Sequence, residues 1–155
     1  MNYTNPLIAD QKNRIFIVTG APGTGKTTWV KERRKQGDVV VDLDYILAAL
    51  RLDDDIHHED SRDVLSAGLA VKEFLINGIA TGNITYSRAF IVTTRGADRI
   101  KDMTGGTVIQ LDEDPLEITR RITNDNHLSD ADKEKRIKIV EKFFEREQNR
   151  RKKCY

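Results

Sequence analysis

The chain holds a single cysteine, Cys154, so no disulfide can form within it, and a lone thiol suits a reducing compartment. Three prolines and ten glycines among 155 residues exclude a proline-rich or glycine-rich low-complexity chain. No charge of one sign dominates: Lys plus Arg number 26 and Asp plus Glu 25, a net charge of +1. Nucleic acid is therefore not attracted by overall charge, and any basic surface must be local. No uninterrupted apolar run approaches the length of a membrane span. Residues 1–13 are polar and mixed, without a signal-peptide pattern, and read as a loose lead-in. These absences together predict a cytoplasmic protein. With 38% hydrophobic residues, the chain is long enough for one domain with a modest core, spanning residues 1–155 and ending in a basic tail over 150–155.

What is present centres on Gly20-Ala21-Pro22-Gly23-Thr24-Gly25-Lys26-Thr27, which fits Gly, four residues, Gly-Lys-Thr at every fixed position. This is the phosphate-binding P-loop, or Walker A, pattern. Before it stands Arg14-Ile15-Phe16-Ile17-Val18-Thr19, a β-branched apolar run that reads as a buried strand. After it, Thr27 to Arg34 lacks Gly and Pro and reads as a helix. The three glycines let backbone N–H groups converge on an anion with no Cβ in the way. The helix adds its unpaired N–H groups and dipole. The expected nucleotide-binding set is Gly20, Ala21, Pro22, Gly23, Thr24, Gly25, Lys26, Thr27 and the helix residue Thr28. Lys26 should reach the β- and γ-phosphates of ATP, and the Thr27 hydroxyl should ligate Mg²⁺.

Further along, a helix over about 25–36 should stop at Gly37, and Asp38 to Asp42 should be a second strand. A helix beginning at Asp42 or Asp44 follows, either acid being able to cap it. Arg51 to Asp60, with His57 and His58, reads as an exposed loop; the histidines lack a partner at ligand spacing. Ser61 to about Ala80 reads as a helix whose stripe is Val64, Leu65, Leu69, Val71, Phe74, Leu75 and Ile79. Strands are expected at 89–94 and at 107–111, with a short helix between them. Pro115 opens another helix to about Thr123, and Ser129 caps the last, with Asp132 completing an approximate capping box. Strands alternating with helices imply parallel pairing. The expected fold class is α/β, a three-layer P-loop NTPase fold with a sheet of about four parallel strands. Ligands should bind beyond the carboxyl ends of the strands.

The second informative stretch is Asp42-Leu43-Asp44-Tyr45. If the first two strands lie near each other, one acid can take a proton from an attacking hydroxyl and the other can hold Mg²⁺ directly or through water. The P-loop, the following strand and the Asp-aromatic pair resemble the kinase domain of polynucleotide 5′-hydroxyl kinases. They resemble equally the small ATP-binding P-loop proteins of AAA type common in bacteriophage genomes. The resemblance implies a general base at the end of the second strand, carried onto Asp44 with Asp42 as the fallback. It also implies an arginine on a lid helix after the fourth strand, here Arg120 or Arg121, stabilising charge on the transferring phosphoryl group. The chain departs from that pattern at Thr93-Thr94-Arg95, where many P-loop enzymes carry an acid, and at Leu47, where the family places an acceptor-side arginine. Metal binding would then rest on Thr27, water and Asp42, and Arg95 would replace the missing arginine.

The expectation is thus a Mg²⁺-dependent phosphotransferase moving the ATP γ-phosphate to a hydroxyl, with a nucleic acid or nucleotide as the acceptor class considered first. The alternative is a nucleotide-binding module or slow ATPase acting as a switch or as a subunit of a phage-like assembly. Neither acceptor, base preference nor oligomeric state is legible in the sequence.

Overall fold

The computed structural model describes residues 14–55, 60–111 and 114–153, except the side chain of Arg151. The lead-in, the His57-His58 pair, Asp112 and Cys154 lie outside the described residues. Strand β1 is Ile15–Thr19, α1 is Lys26–Arg33, β2 is Val39–Val41 and α2 is Leu43–Arg51. Helix α3 is Arg62–Thr81, β3 is Ala89–Thr93, α4 is Ala97–Thr104 and β4 is Thr107–Gln110. Helices α5, Pro115–Asn124, and α6, Asp130–Lys153, complete the order.

All strand pairs are parallel, and the sheet order is β2-β3-β1-β4. The first two strands are therefore not neighbours; β3 lies between them. The register pairs Ile17 with Ile91, and Val41 with Ile91 on the other side. On one sheet face Ile15, Ile17, Val41 and Ile91 pack with Ile76 and Ile79 of α3 and Ile100 of α4. On the other, Val18, Phe90 and Val92 pack with Val30 and Trp29 of α1. These faces make the three-layer α/β sandwich of a P-loop NTPase. A satellite cluster joins Ala21 of the loop to Ile118 and Ile122 of α5 and Val140 of α6. Ile91 sits at the centre of the sheet, fully buried. Ile91→Ala is expected to cost about 2–5 kcal/mol, read in thermal melts as a midpoint lowered by roughly 5–15 °C.

Helix α1 ends at Arg33, earlier than its sequence suggests, because competing bonds draw the chain away. Arg88 Nη2 donates to Arg33 O at 2.8 Å, and Lys35 N donates to Asp38 Oδ2 at 2.7 Å. Arg34 is already extended, at φ −65° and ψ 146°. At the next helix the choice of cap resolves to Asp42, whose side chain accepts from Asp44 N. Pro115 stands at the start of α5 behind the cap Asp114, and Asp132 N donates to Ser129 Oγ at 3.2 Å at the start of α6.

The apolar stripe expected on α3 holds at Leu75 and Ile79, which pack in the core, and fails elsewhere. Gly68, Ile76, Gly78 and Ile79 face inward, whereas Leu65, Leu69, Val71 and Phe74 are exposed. The cause is close approach: a Cβ on Gly68 would stand 2.4 Å from Leu47 Cδ2, so α2 crosses α3 at a glycine. By length and composition α3 would suffice to cross a membrane. Its Ile76 and Ile79 instead anchor the sheet core. After α2, residues 52–55 are exposed as expected, while the two ends of the segment are tied together. Arg51 is mostly buried and paired with Asp60, and it also donates to Asp55 O.

Candidate functional site

The loop from Gly20 to Gly25 leaves the carboxyl end of β1 and turns into α1. Gly20 is held against the chain just past β4, where a Cβ would meet Leu111 O at 2.5 Å. Gly25 occupies the N-cap of α1 at φ +79°, in the left-handed region, and caps with no side chain. The first N–H groups of α1 are thus left for an anion. Thr24 Oγ1 donates to Ala21 O at 2.9 Å and braces the turn.

Lys26 lies across this loop. Its Nζ donates to Gly20 O at 2.9 Å and to Ala21 O at 2.8 Å. Burial lowers its pKa to about 8, opposed by the nearby charges of Asp42 and Asp44. One residue on, Thr27 Oγ1 donates to Asp42 Oδ2 at 2.7 Å. Asp42 is buried, and its other oxygen accepts from Asp44 N at 3.1 Å. The β2 acid thus meets the P-loop from two strands away, because the start of α1 spans the gap. Asp44 lies in the first turn of α2, is exposed and lines the same cleft.

This donor set fits Mg²⁺: a hydroxyl, a carboxylate behind it and open space for phosphate oxygens and water. Among the described residues no group of three His, Cys, Asp or Glu forms a self-sufficient metal cage. A metal here would be shared with a ligand, as Mg²⁺ usually is.

The cleft has a volume of about 1040 Å³ and runs from the P-loop past α2 and α3 to the β3–α4 turn and the α5–α6 pair. At the end of β3, Thr93 Oγ1 donates to Arg95 O and no acid stands at 93–95. Of the two lid arginines, Arg121 lines the cleft. Arg120 does not: one residue is a rotation of about 100° on a helix, and Arg120 Nη2 donates to Glu117 Oε2 at 3.1 Å on the exposed side. Arg95 lines the cleft with its guanidinium 5.5 Å from the Phe143 ring centre. Trp29 packs edge-on against Phe90 and beneath Arg33.

Among the cleft residues that no motif marks, Lys72 is the most deeply placed charge. Lys72 of α3 points into the site, and its Nζ donates to Val92 O at 2.9 Å. Burial pushes its pKa down, while Asp42, Asp44 and Glu73 pull it back up. The signal was present in the spacing. Lys72 falls in line with Gly68, Ile76 and Ile79, a charge in the buried stripe.

A family model described as an AAA domain matches residues 15–152. Two solved assemblies contain a chain of similar fold. One is the Pnkp1/Rnl/Hen1 RNA repair complex, at 17% identity and TM-score 0.55, over 86% of this chain and 46% of that one. The other, a Pnkp1/Rnl/Hen1 complex, gives 20% identity and TM-score 0.52, over 76% of this chain and 41% of that one. The present chain therefore spans less than half the length of either relative, and at such identities the likeness is one of fold. No curated protein matches the sequence.

Proposed function

Because the chain belongs to the AAA domain family, we propose that it is an ATP- and Mg²⁺-dependent phosphotransferase that moves the γ-phosphate to a hydroxyl acceptor. The observation that carries this is the hydrogen bond from Thr27 Oγ1 to Asp42 Oδ2. It joins the metal-holding hydroxyl of the P-loop to an acid pair, which a simple phosphate clamp does not need. In this reading the loop N–H groups and Lys26 hold the β- and γ-phosphates. Thr27 holds the metal, with Asp42 behind it. Asp44, exposed to the cleft, accepts the proton of the incoming hydroxyl. Arg121 offsets charge on the phosphoryl group as it moves. A nucleic acid or nucleotide is the acceptor class to try first, because both chains of like fold lie in complexes containing Pnkp1, one described as an RNA repair complex.

A specific observation favours a second reading. The end of β3 offers Thr93 and Thr94 in place of an acid, which suits a slow ATPase or nucleotide switch, such as a subunit of a phage-like assembly. Incubation with γ-labelled ATP, Mg²⁺ and a panel of oligonucleotides, nucleosides and small alcohols separates the two. Label on an acceptor is the expected result. Label found only as free phosphate, at a rate no acceptor changes, rejects the transferase and leaves the switch.

A further inference from the structure

The geometry points to Lys72 as a second cation for the γ-phosphate, supplied to the cleft by α3 rather than by the P-loop. This deepens the reading that the cleft takes ATP and rests on it. Three observations lead here. First, Lys72 lines the same cleft as Lys26, Thr27, Asp42 and Asp44. Its charge is felt by Lys26, and it feels Asp42 and Asp44 in turn. Second, it is placed on the strand between the two halves of the site. Val92 belongs to β3, which lies between β1 with its loop and β2 with its acids. The β2 ladder ends at the Val41–Ile91 pair, one residue before Val92. Lys72 Nζ donates to the Val92 carbonyl just past that point.

Third, a backbone carbonyl is a poor reason to bury an ammonium. A neutral donor would satisfy Val92 O without the desolvation that a charge suffers in the helix's inward stripe. Asp42, Asp44 and Glu73 offset part of that cost through space, and a triphosphate tail entering the cleft would meet the ammonium directly. Lys26, lying over the loop carbonyls, reaches that tail from the P-loop side. Lys72 meets it from the α3 side, beside the acids and at the strand end that carries no acid of its own. The bond to the Val92 carbonyl then serves as the resting partner of an ammonium that turns to the terminal phosphate when ATP is present.

The test is calorimetric titration of the full chain with Mg²⁺ and either ADP or β,γ-imido-ATP, for wild type, Lys72→Gln and Lys72→Arg. Gln removes the charge but keeps a donor, while Arg keeps the charge. Lys72→Gln is expected to weaken the triphosphate analogue about tenfold and ADP less than twofold, with Lys72→Arg near wild type. A triphosphate-to-diphosphate preference unchanged in Lys72→Gln overturns the assignment and leaves ATP binding intact. So does an equal loss for both nucleotides accompanied by a lowered melting temperature, which marks Lys72 as a helix-to-strand staple. A wild-type chain that binds neither nucleotide overturns the ATP reading itself, and this assignment with it.

Discussion

Lys26→Met is expected to lower ATP turnover by about 10²–10³-fold, the loss typical of removing one preorganised donor from a developing charge, while the protein remains folded. The ammonium is already in the loop, 2.8 Å from Ala21 O and 2.9 Å from Gly20 O, so it has only to turn from those carbonyls to a phosphate. Methionine is unbranched and only one atom shorter, and it leaves no donor. The fold should not suffer, because the charge is a burden to the nucleotide-free protein: burial lowers the Lys26 pKa to about 8. The sign follows from linkage. Between the folded value and the higher unfolded one the unfolded chain binds the extra proton, so wild-type stability rises with pH there; below about 8 the charge is borne in full. Lys26→Met should therefore melt at or above the wild-type temperature at pH 7, with the advantage shrinking toward pH 10. Thr24 Oγ1 still holds Ala21 O and keeps the turn braced. Turnover measured beside a melting curve checks both halves. A variant that still turns over ATP at the wild-type rate would remove Lys26 from the phosphate site.

The α/β order and the P-loop were open to inspection in the sequence because local chemistry governs them. Gly20 to Thr27 must bend to expose N–H groups, and Ile15 to Thr19 and Ala89 to Thr93 carry β-branched runs that suit no other place than a buried sheet. The order of strands is not local. Nothing in the Val39–Val41 run says that β3 will insert between it and β1, yet that insertion decides which side chains border the phosphate site. It brings Val92 to the centre and hence Lys72. The inward face of α3 keeps Leu75 and Ile79 of the expected stripe but not the rest, for a related reason. Hydrophobicity favours Leu69 and Phe74, but the face is set by close approach: Gly68 admits Leu47 of α2, and Gly78 admits Ile84 of the turn that follows α3. Steric absence outweighs apolar presence when two helices cross this closely. The lid arginines show the limit of spacing alone: adjacent Arg120 and Arg121 are equivalent in sequence, and only the seating of Ile118 and Ile122 against Ala21 turns one toward the cleft.

Asp44→Asn and Asp42→Asn are expected to fail in different ways, and the contrast assigns the two acids. Asp44 is exposed at the cleft wall, in the first turn of α2, and the cap of that helix is Asp42. Its amide replacement should lower acceptor phosphorylation by about 10²–10⁴-fold, the usual contribution of a general base, with the affinity for Mg²⁺·ATP and the melting temperature unchanged. Asp42 is buried, caps α2 with one oxygen and accepts from Thr27 with the other. Asparagine is an equally good cap, so Asp42→Asn should fold normally. It nevertheless removes the negative charge behind the Thr27 hydroxyl, where a divalent cation would sit. Mg²⁺·ATP binding should weaken, and raising the Mg²⁺ concentration should restore part of it. The same titration applied to Asp44→Asn should restore nothing, since a missing proton acceptor is not replaced by metal. If instead Asp42→Asn keeps full Mg²⁺·ATP affinity and loses only transfer, the base is the buried acid, and the proton must leave along the Thr27–Asp42 hydrogen bond rather than through the exposed wall of the cleft.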